Sequence, residues 1–249
     1  MHNRPVPTFS VITVTYNAGA VLEDTIQSVI AQTYHHVEYI IIDGASKDNT
    51  LAIVNRYRDR IACVVSEPDK GLYDAMNKGI ALATGDYLCF LNAGDSFHED
   101  DTLQQIVHSL APHGTLPGVI YGDTDLVDAE GHFVRKRRLS PPEVLTWKSF
   151  RQGMLVCHQA FFARRDLVEP YDLRYRFSAD FDWCIRVMKK TQTLHNAHLV
   201  VIDYLDEGLT TANRRASLLE RFRIMCRHYG WVSTVAYHAW FVLRLLLKR

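Results

Sequence analysis

What this sequence lacks narrows its class before any motif is read. It has five cysteines, Cys63, Cys89, Cys157, Cys184 and Cys226, an odd number with no CxxC pair among them. Neither a disulfide framework nor a zinc site is expected, and a reducing cytoplasm suits the chain best. Its histidines include no HExxH spacing, which excludes a metalloprotease-type zinc helix. Neither sign of charge prevails, because 28 Lys and Arg stand against 28 Asp and Glu. Zero net charge gives no bulk attraction to nucleic acid, so no nucleic-acid partner is expected and any phosphate recognition must be local. Met1-His2-Asn3-Arg4-Pro5 contains no apolar run, and no signal peptide is expected. The chain also lacks internal repeats and low-complexity tracts.

What is present is 249 residues with 47% hydrophobic content, enough for one large domain with or without an appendage. Phe9 to Val14 reads as a strand and Glu23 to Gln32 as a helix. Val37 to Ile42 is almost continuously apolar, as in a buried parallel strand. Ser46 and Asp48 are N-cap types ahead of a helix carrying Leu51, Ile53, Val54 and Tyr57. Ile61 to Val65 reads as another buried strand, with Cys63 and later Cys89 as small buried hydrophobes. Leu72, Met76 and Ile80 recur at helical spacing on a core face, and Tyr87 to Leu91 returns to strand. A helix at Asp101 to Leu110 and a strand at Val119 to Tyr121 continue the alternation. This pattern predicts an α/β fold with a Rossmann-like, mainly parallel central sheet flanked by helices. Arg135-Lys136-Arg137-Arg138 and Pro141-Pro142 break the periodicity, as a flexible basic segment over the site or as a solvated loop. Strands then follow at Ala160 to Ala163 and Leu199 to Ile202, with a helix at Phe181 to Lys189 between them.

The last segment changes character. Arg214 to His228 is a helix with a basic face, and from Trp231 an aromatic, apolar helix runs into Arg244-Leu245-Leu246-Leu247-Lys248-Arg249. At about 1.5 Å per residue the second helix is roughly 25 Å long, short of a hydrocarbon core of about 30 Å. Two placements stay open: an interfacial helix on the inner face of the cytoplasmic membrane, and a helix packed on its own domain or a partner. The expected division is one domain over 1–213, in parts of about 8–125 and about 126–213 that the family resemblance given below makes nucleotide-binding and acceptor-binding, then a helical segment over 214–249.

The most informative run is Phe90-Leu91-Asn92-Ala93-Gly94-Asp95, an apolar strand stopping at a small acidic turn. Open α/β sheets bind ligands at the carboxyl ends of their strands. Asp95 can place an oxygen on a hard cation such as Mg²⁺ or Mn²⁺, which can in turn hold a diphosphate. Thr13, Thr15, Tyr16 and Asn17 offer hydroxyls, an aromatic face and an amide at another carboxyl edge. Asp43 ends the second strand and can accept from a base N–H. Asp69 and Asn77 flank a loop and helix in which Gly71 lets the backbone approach a ligand closely.

Four blocks in order resemble the family 2 glycosyltransferases, particularly those that build bacterial cell-surface polysaccharides such as colanic acid. They are Ser10 to Asn17, Ile42 to Thr50, Pro68 to Ile80 with Gly85-Asp86-Tyr87, and Phe90 to Asp95. The resemblance implies a GT-A fold and an inverting transfer from a nucleotide-diphosphate sugar, typically UDP, to a hydroxyl of a glycan or lipid-linked acceptor. It implies that Asp43 contacts the nucleobase and that Asp69 and Asn77 lie by the donor. Asp180 matches the catalytic base, at the start of a helix that also carries Asp182. His158-Gln159 matches a pair near the acceptor. Glu207-Gly208-Leu209-Thr210-Thr211 resembles a lid, with Arg214 and Arg215 adding charge. The family's Asp-x-Asp metal motif is incomplete here: Asn92 and Gly94 replace acids, leaving Asp95 as the metal ligand and Asn92 as its neighbour. A second Asp-x-Asp, Asp123-Thr124-Asp125, has the spacing but stands elsewhere in the motif order.

Two other classes remain at this point. A sugar nucleotidyltransferase would need a glycine-rich basic loop after the first strand, where Thr15-Tyr16-Asn17-Ala18-Gly19 has one glycine and no base. A binding or interaction protein that keeps the fold without metal would account for the missing acids.

Overall fold

The computed structural model of the chain describes residues 6–111, 114–206 and 214–247. Its strands are β1 (Phe9–Thr15), β2 (Val37–Asp43), β3 (Cys63–Ser66), β4 (Tyr87–Phe90), β5 (Ser96–Phe97), β6 (Val119–Val127), β7 (Phe133–Lys136), β8 (Phe161–Arg164) and β9 (Leu194–Leu205). Its helices are α1 (Leu22–Ile30), α2 (Thr50–Arg56), α3 (Leu72–Leu82), α4 (Thr102–Ser109), α5 (Ala179–Lys189), α6 (Arg214–Tyr229) and α7 (Trp231–Leu247). All the strands join one sheet in the order β3-β2-β1-β4-β8-β6-β9-β5, with β7 paired to β6.

The first half is parallel. β1 pairs with β2 from Phe9↔Val37 to Thr15↔Asp43, and also with β4, while β2 pairs with β3. The apolar runs of β1, β2 and β4 suit this place because both sheet faces are covered. Ile12, Ile40 and Ile42 pack with Met76 of α3 on one face. Val11 and Ile41 pack with Ile26 of α1 and Ile53 of α2 on the other. The period-two alternation of strand side chains feeds two cores from one sequence run. Beyond β4 the sheet is mixed: β8 runs antiparallel to β4 and β6, whereas β9 is parallel to β6.

Some local expectations are corrected. β3 is an edge strand, so Cys63 and its neighbours are half-buried rather than core. Leu72 is exposed, while Met76 on the same helix is buried. The basic run is in part a strand rather than a loop, and its Arg137 lines the cleft at the strand ends. Phe133–Lys136 pairs with β6, Arg135 meets Asp206 at 2.9 Å, and the Arg137 guanidinium donates to the carbonyl oxygens of Leu139, Met154 and Leu155. Helix α6 buries Ile224 and Met225 in the core that α5 also fills. Helix α7 packs back on α6, with the rings of Phe222 and His238 5.1 Å apart. Among the described residues, no helix is long and apolar enough to cross a membrane.

Candidate active site

The carboxyl ends of β1, β2 and β4 open onto a cleft of about 880 Å³. Thr15 and Tyr16 enter it from β1, Gly44 from the loop after β2, Asp69 and Leu72 from the approach to α3, and Asn92 and Asp95 from the turn after β4. The opposite wall comes from later in the chain. It includes His158 and Gln159 ahead of β8, Asp180 on α5, Arg221 on α6, and Arg137.

The turn after β4 is tightly held. Asp95 N–H donates to the Asn92 carbonyl at 3.0 Å, and Gly94 N–H donates to Thr25 Oγ1 at 2.9 Å. Gly94 has φ +101°, and a Cβ there would come 2.9 Å from Leu205 Cδ2, so glycine is required. Asp95 is 4% exposed. Its carboxylate accepts from Gln159 Nε2 at 2.8 Å and from Leu205 N–H at 3.1 Å. Burial pushes its pKa up to about 7, against the pull of those two bonds.

Four cleft-lining groups have buried polar atoms without a hydrogen-bond partner among the described residues, Thr15 Oγ1, Asp69 Oδ1, Asn92 Oδ1 and Arg221 Nε; of these Asp69 Oδ1 is ion-paired with Lys78 at 2.6 Å. Buried polar atoms in folded proteins are almost always paired, so their convergence on one cleft marks a site built for a polar ligand. No group of three or more His, Cys, Asp or Glu that could hold a metal occurs among the described residues. Asn92 Oδ1 and the Asp95 carboxylate nevertheless supply oxygen donors of the kind Mg²⁺ or Mn²⁺ takes alongside phosphate oxygens and water. The other Asp-x-Asp does not compete. Leu126 lines the cleft, and strand alternation turns Asp123 and Asp125 of β6 to the opposite face.

Asp180 sits in the first turn of α5 and accepts from Tyr73 Oη at 3.1 Å. Burial and then the Asp180 charge raise the Tyr73 pKa well above its usual value, which keeps this hydroxyl a donor. Under the cleft lies an aromatic bed. Tyr171 stacks on Trp183 at 5.1 Å, Phe90 on His158 at 5.2 Å, and His158 Nε2 lies 2.6 Å from Tyr171 Oη. Burial lowers the His158 pKa, opposed by the Asp180 charge.

Eight of the expected site residues therefore meet at the cleft: Thr15, Tyr16, Asp69, Asn92, Asp95, His158, Gln159 and Asp180. Five do not line it. Thr13 is fully buried one strand pitch deeper, with its Oγ1 3.1 Å from Tyr39 Oη. Asn17 adopts φ 49° and fixes a turn, its Oδ1 accepting from Lys47 N–H at 2.7 Å. Asp43 is 0% exposed, its carboxylate taken up by Ser46 N–H, Ser46 Oγ and Ser66 Oγ. Asn77 clamps the backbone of Tyr171 with both ends of its amide. Asp182 faces away from Asp180 and binds Arg186 and His228, each at 2.7 Å. Burial raises its pKa, but the bonds to His228 and Arg186 outweigh this and hold it below the usual range. Arg214 opens α6, but its side chain lies outside the described residues, as does the lid segment Glu207 to Thr211.

Sequence reasoning missed Tyr73, Glu220 and Arg221, whereas Arg137 belongs to the basic run that one reading set over the site. The Glu220 carboxylate accepts the backbone N–H groups of Arg176, Phe177 and Ser178 at 2.8, 2.8 and 3.0 Å, just ahead of α5. One signal was available, since Glu220 is the lone acid in the otherwise basic stretch 214–249.

Residues 10–171 match the model of the family described as glycosyl transferase family 2. The PGL/p-HBAD biosynthesis glycosyltransferase of Mycobacterium bovis is 36% identical over 213 residues, covering 81% of this chain and 78% of that protein. The amylovoran biosynthesis glycosyltransferase AmsB of Erwinia amylovora is 32% identical, covering 77% and 70%. Among solved structures, S. aureus TarS in complex with UDP superposes with a TM-score of 0.70 at 18% identity, covering 94% of this chain and 70% of that one. The Pyrobaculum calidifontis mannosyltransferase PcManGT, in complex with GDP-Man and Mn²⁺, superposes at 0.64 with 17% identity, covering 94% and 74%. These two likenesses show the GT-A type of fold.

Proposed function

Because this chain belongs to glycosyl transferase family 2 and is a glycosyltransferase, we propose that its cleft performs an inverting transfer from a nucleotide-diphosphate sugar. The donor is a UDP-sugar, and the acceptor is a hydroxyl of a glycan or lipid-linked glycan in cell-surface polysaccharide biosynthesis, at the cytoplasmic side of the membrane. The observation that carries this reading is the convergence of Thr15, Asn92 and Arg221, each with an unpartnered buried polar atom, on the cleft that Asp180 also lines. The UDP complex of TarS and the amylovoran role in the name of AmsB support the donor and acceptor classes.

Each chemical task has residues in place. Tyr16, 65% exposed at the cleft, offers a ring face for a base. Asp43 acts from beneath: by holding Ser46 it shapes the turn that brings Gly44 to the cleft wall. Asp69, paired with Lys78 at 2.6 Å, accepts from the ribose hydroxyls. Arg221 and the Asn92–Asp95 turn meet the diphosphate. Mg²⁺ or Mn²⁺ held by Asp95 and Asn92 supplies Lewis-acid neutralisation of the leaving group when bound. Asp180 Oδ1 takes the Tyr73 hydrogen bond, which leaves Oδ2 to receive the acceptor proton. A single displacement with one base inverts the anomeric carbon.

The test pairs binding with turnover. UDP is expected to raise Tm by mass action in the wild type and in Asp180→Asn. Transfer from a panel of nucleotide sugars should fall by about 10²-fold or more in Asp180→Asn alone. Full transfer by Asp180→Asn would overturn the base assignment. Stabilisation by GDP and not UDP would reassign the donor, and stabilisation by no nucleotide would overturn the reading of the cleft.

A further inference from the structure

Helix α7 carries an apolar stripe that none of the described residues covers. Val232 is 77% exposed and Trp240 54%, with Val235, Ala236, Ala239 and Leu243 exposed beside them. At about 100° per residue these six positions fall within an arc of roughly 140°. The opposite arc turns inward: Thr234 is buried, and His238 and Phe241 are half-buried, with the His238 ring against Phe222 of α6. Trp231 is exposed at the start of the helix, and Leu218 and Leu219 extend the apolar exposure onto α6.

Charge decides what covers this stripe. Residues 214–249 contain eight Lys and Arg and a single acid, Glu220, in a chain of zero net charge; Arg221 lines the cleft and Arg227 pairs with Asp172 at 3.2 Å, which leaves six for a surface. Glu220 is engaged by three backbone N–H groups of the loop ahead of α5. A strongly basic helical hairpin with an exposed apolar stripe and tryptophans matches an anionic lipid surface, which offers acyl chains to the stripe and phosphate to the cations. A second copy docked through the same patch would bring the same positive surplus against itself.

We propose that the α6–α7 hairpin binds the surface of an anionic bilayer, with Val232, Val235, Trp240 and Leu243 entering the headgroup boundary. This contact does not depend on the glycosyl-transfer reading. It lies one helix away from the cleft, since α6 supplies Arg221 to it.

The test is co-sedimentation of the full chain, without donor, on phosphatidylcholine vesicles with or without roughly one third phosphatidylglycerol. Binding is expected on the anionic vesicles, at least tenfold weaker on pure phosphatidylcholine, and weakened likewise at about 0.5 M salt. The double variant V235E/W240E should lose at least tenfold in binding with Tm unchanged, because both side chains are exposed. Arg223→Glu, an exposed site that leaves the stripe intact, should weaken binding several-fold. Equal binding by wild type and both variants, or no binding to anionic vesicles, would overturn the proposal. So would a lipid-free dimer that V235E/W240E dissociates, which would assign the stripe to a second copy.

Discussion

The Glu220 carboxylate accepts the backbone N–H of Ser178 at 3.0 Å, so α6 caps the start of α5 from another helix, two residues ahead of Asp180. Phe177 N–H donates to the same carboxylate at 2.8 Å. Charge-assisted bonds to the free N–H groups of a helix start are stronger than neutral ones. Glu220→Ala is expected to cost about 2 kcal/mol of stability and to lower kcat more than donor affinity, because the base loses its support. Urea unfolding and steady-state kinetics check this. A lowered Tm with unaltered kcat would leave Glu220 a purely structural cap.

Arg221 should show a different signature. Its guanidinium lies over the Phe181 ring, 5.9 Å from the centroid, and lines the cleft. Arg221→Gln removes a cation from the diphosphate wall, and kcat/KM for transfer should fall about 10²- to 10³-fold with little change in Tm. Arg221→Lys should recover part of the loss, since Lys keeps the charge and lacks the planar fork. No recovery would indicate that shape, not charge, is what Arg221 provides.

How much of this was legible in the sequence depends on how locally each feature is encoded. β1, β2 and β4 were readable because burial on both faces imposes predominantly apolar runs. That Asp95 and Asp180 reach the cleft was readable because each stands at the end of an element next to its own motif. Thr13 was misread because it shares a strand face with Thr15, yet only the residue nearest the strand end reaches the cleft. Asp43 and Asp182 looked like ligand groups because acids at element ends need partners, and Asn77 because the family resemblance sets it by the donor. The fold supplies those partners internally, from segments as distant as Tyr171 and His228. β7 gave no signal because its four side chains are all exposed. Glu220 and Arg221 were invisible because their roles exist only once α6 folds back on α5. A boundary before residue 214 separates α6 from the body whose core it helps to fill.

Metal dependence separates Asp95 from the rest of the donor wall. Mn²⁺ or Mg²⁺ should increase the thermal stabilisation given by UDP in the wild type. Asp95→Asn should abolish that metal-dependent increment and lower transfer by about 10²-fold. The Asn keeps an acceptor for Leu205 N–H but sets an amide against Gln159 Nε2, so a stability loss of about 1 kcal/mol is expected. A metal increment that survives Asp95→Asn would move the cation site elsewhere.

Two buried groups, Asp95 and His158, oppose each other in the pH dependence of stability. The Asp95 pKa is pushed up to about 7 by burial, so below that pH the folded chain holds a proton that the unfolded chain does not take up until nearer pH 3.8. Asp95 thus adds stability as pH falls from about 7 towards 4. His158 has the opposite sign. Its pKa is lowered from 6.5 by burial, so the unfolded chain takes up that proton first. Its contribution is present above pH 6.5 and is lost as pH falls through its folded value. Measured by urea unfolding across pH 4 to 8, Asp95→Asn should lose stability relative to wild type as pH falls below about 7. His158→Gln, which keeps a polar group facing Tyr171, should gain relative to wild type below 6.5. Each relative slope is bounded at about 1.4 kcal/mol per pH unit, the limit for one proton. If both differences stay flat across this range, the two groups titrate in the fold as they do in the unfolded chain, and the electrostatic account of the cleft is wrong.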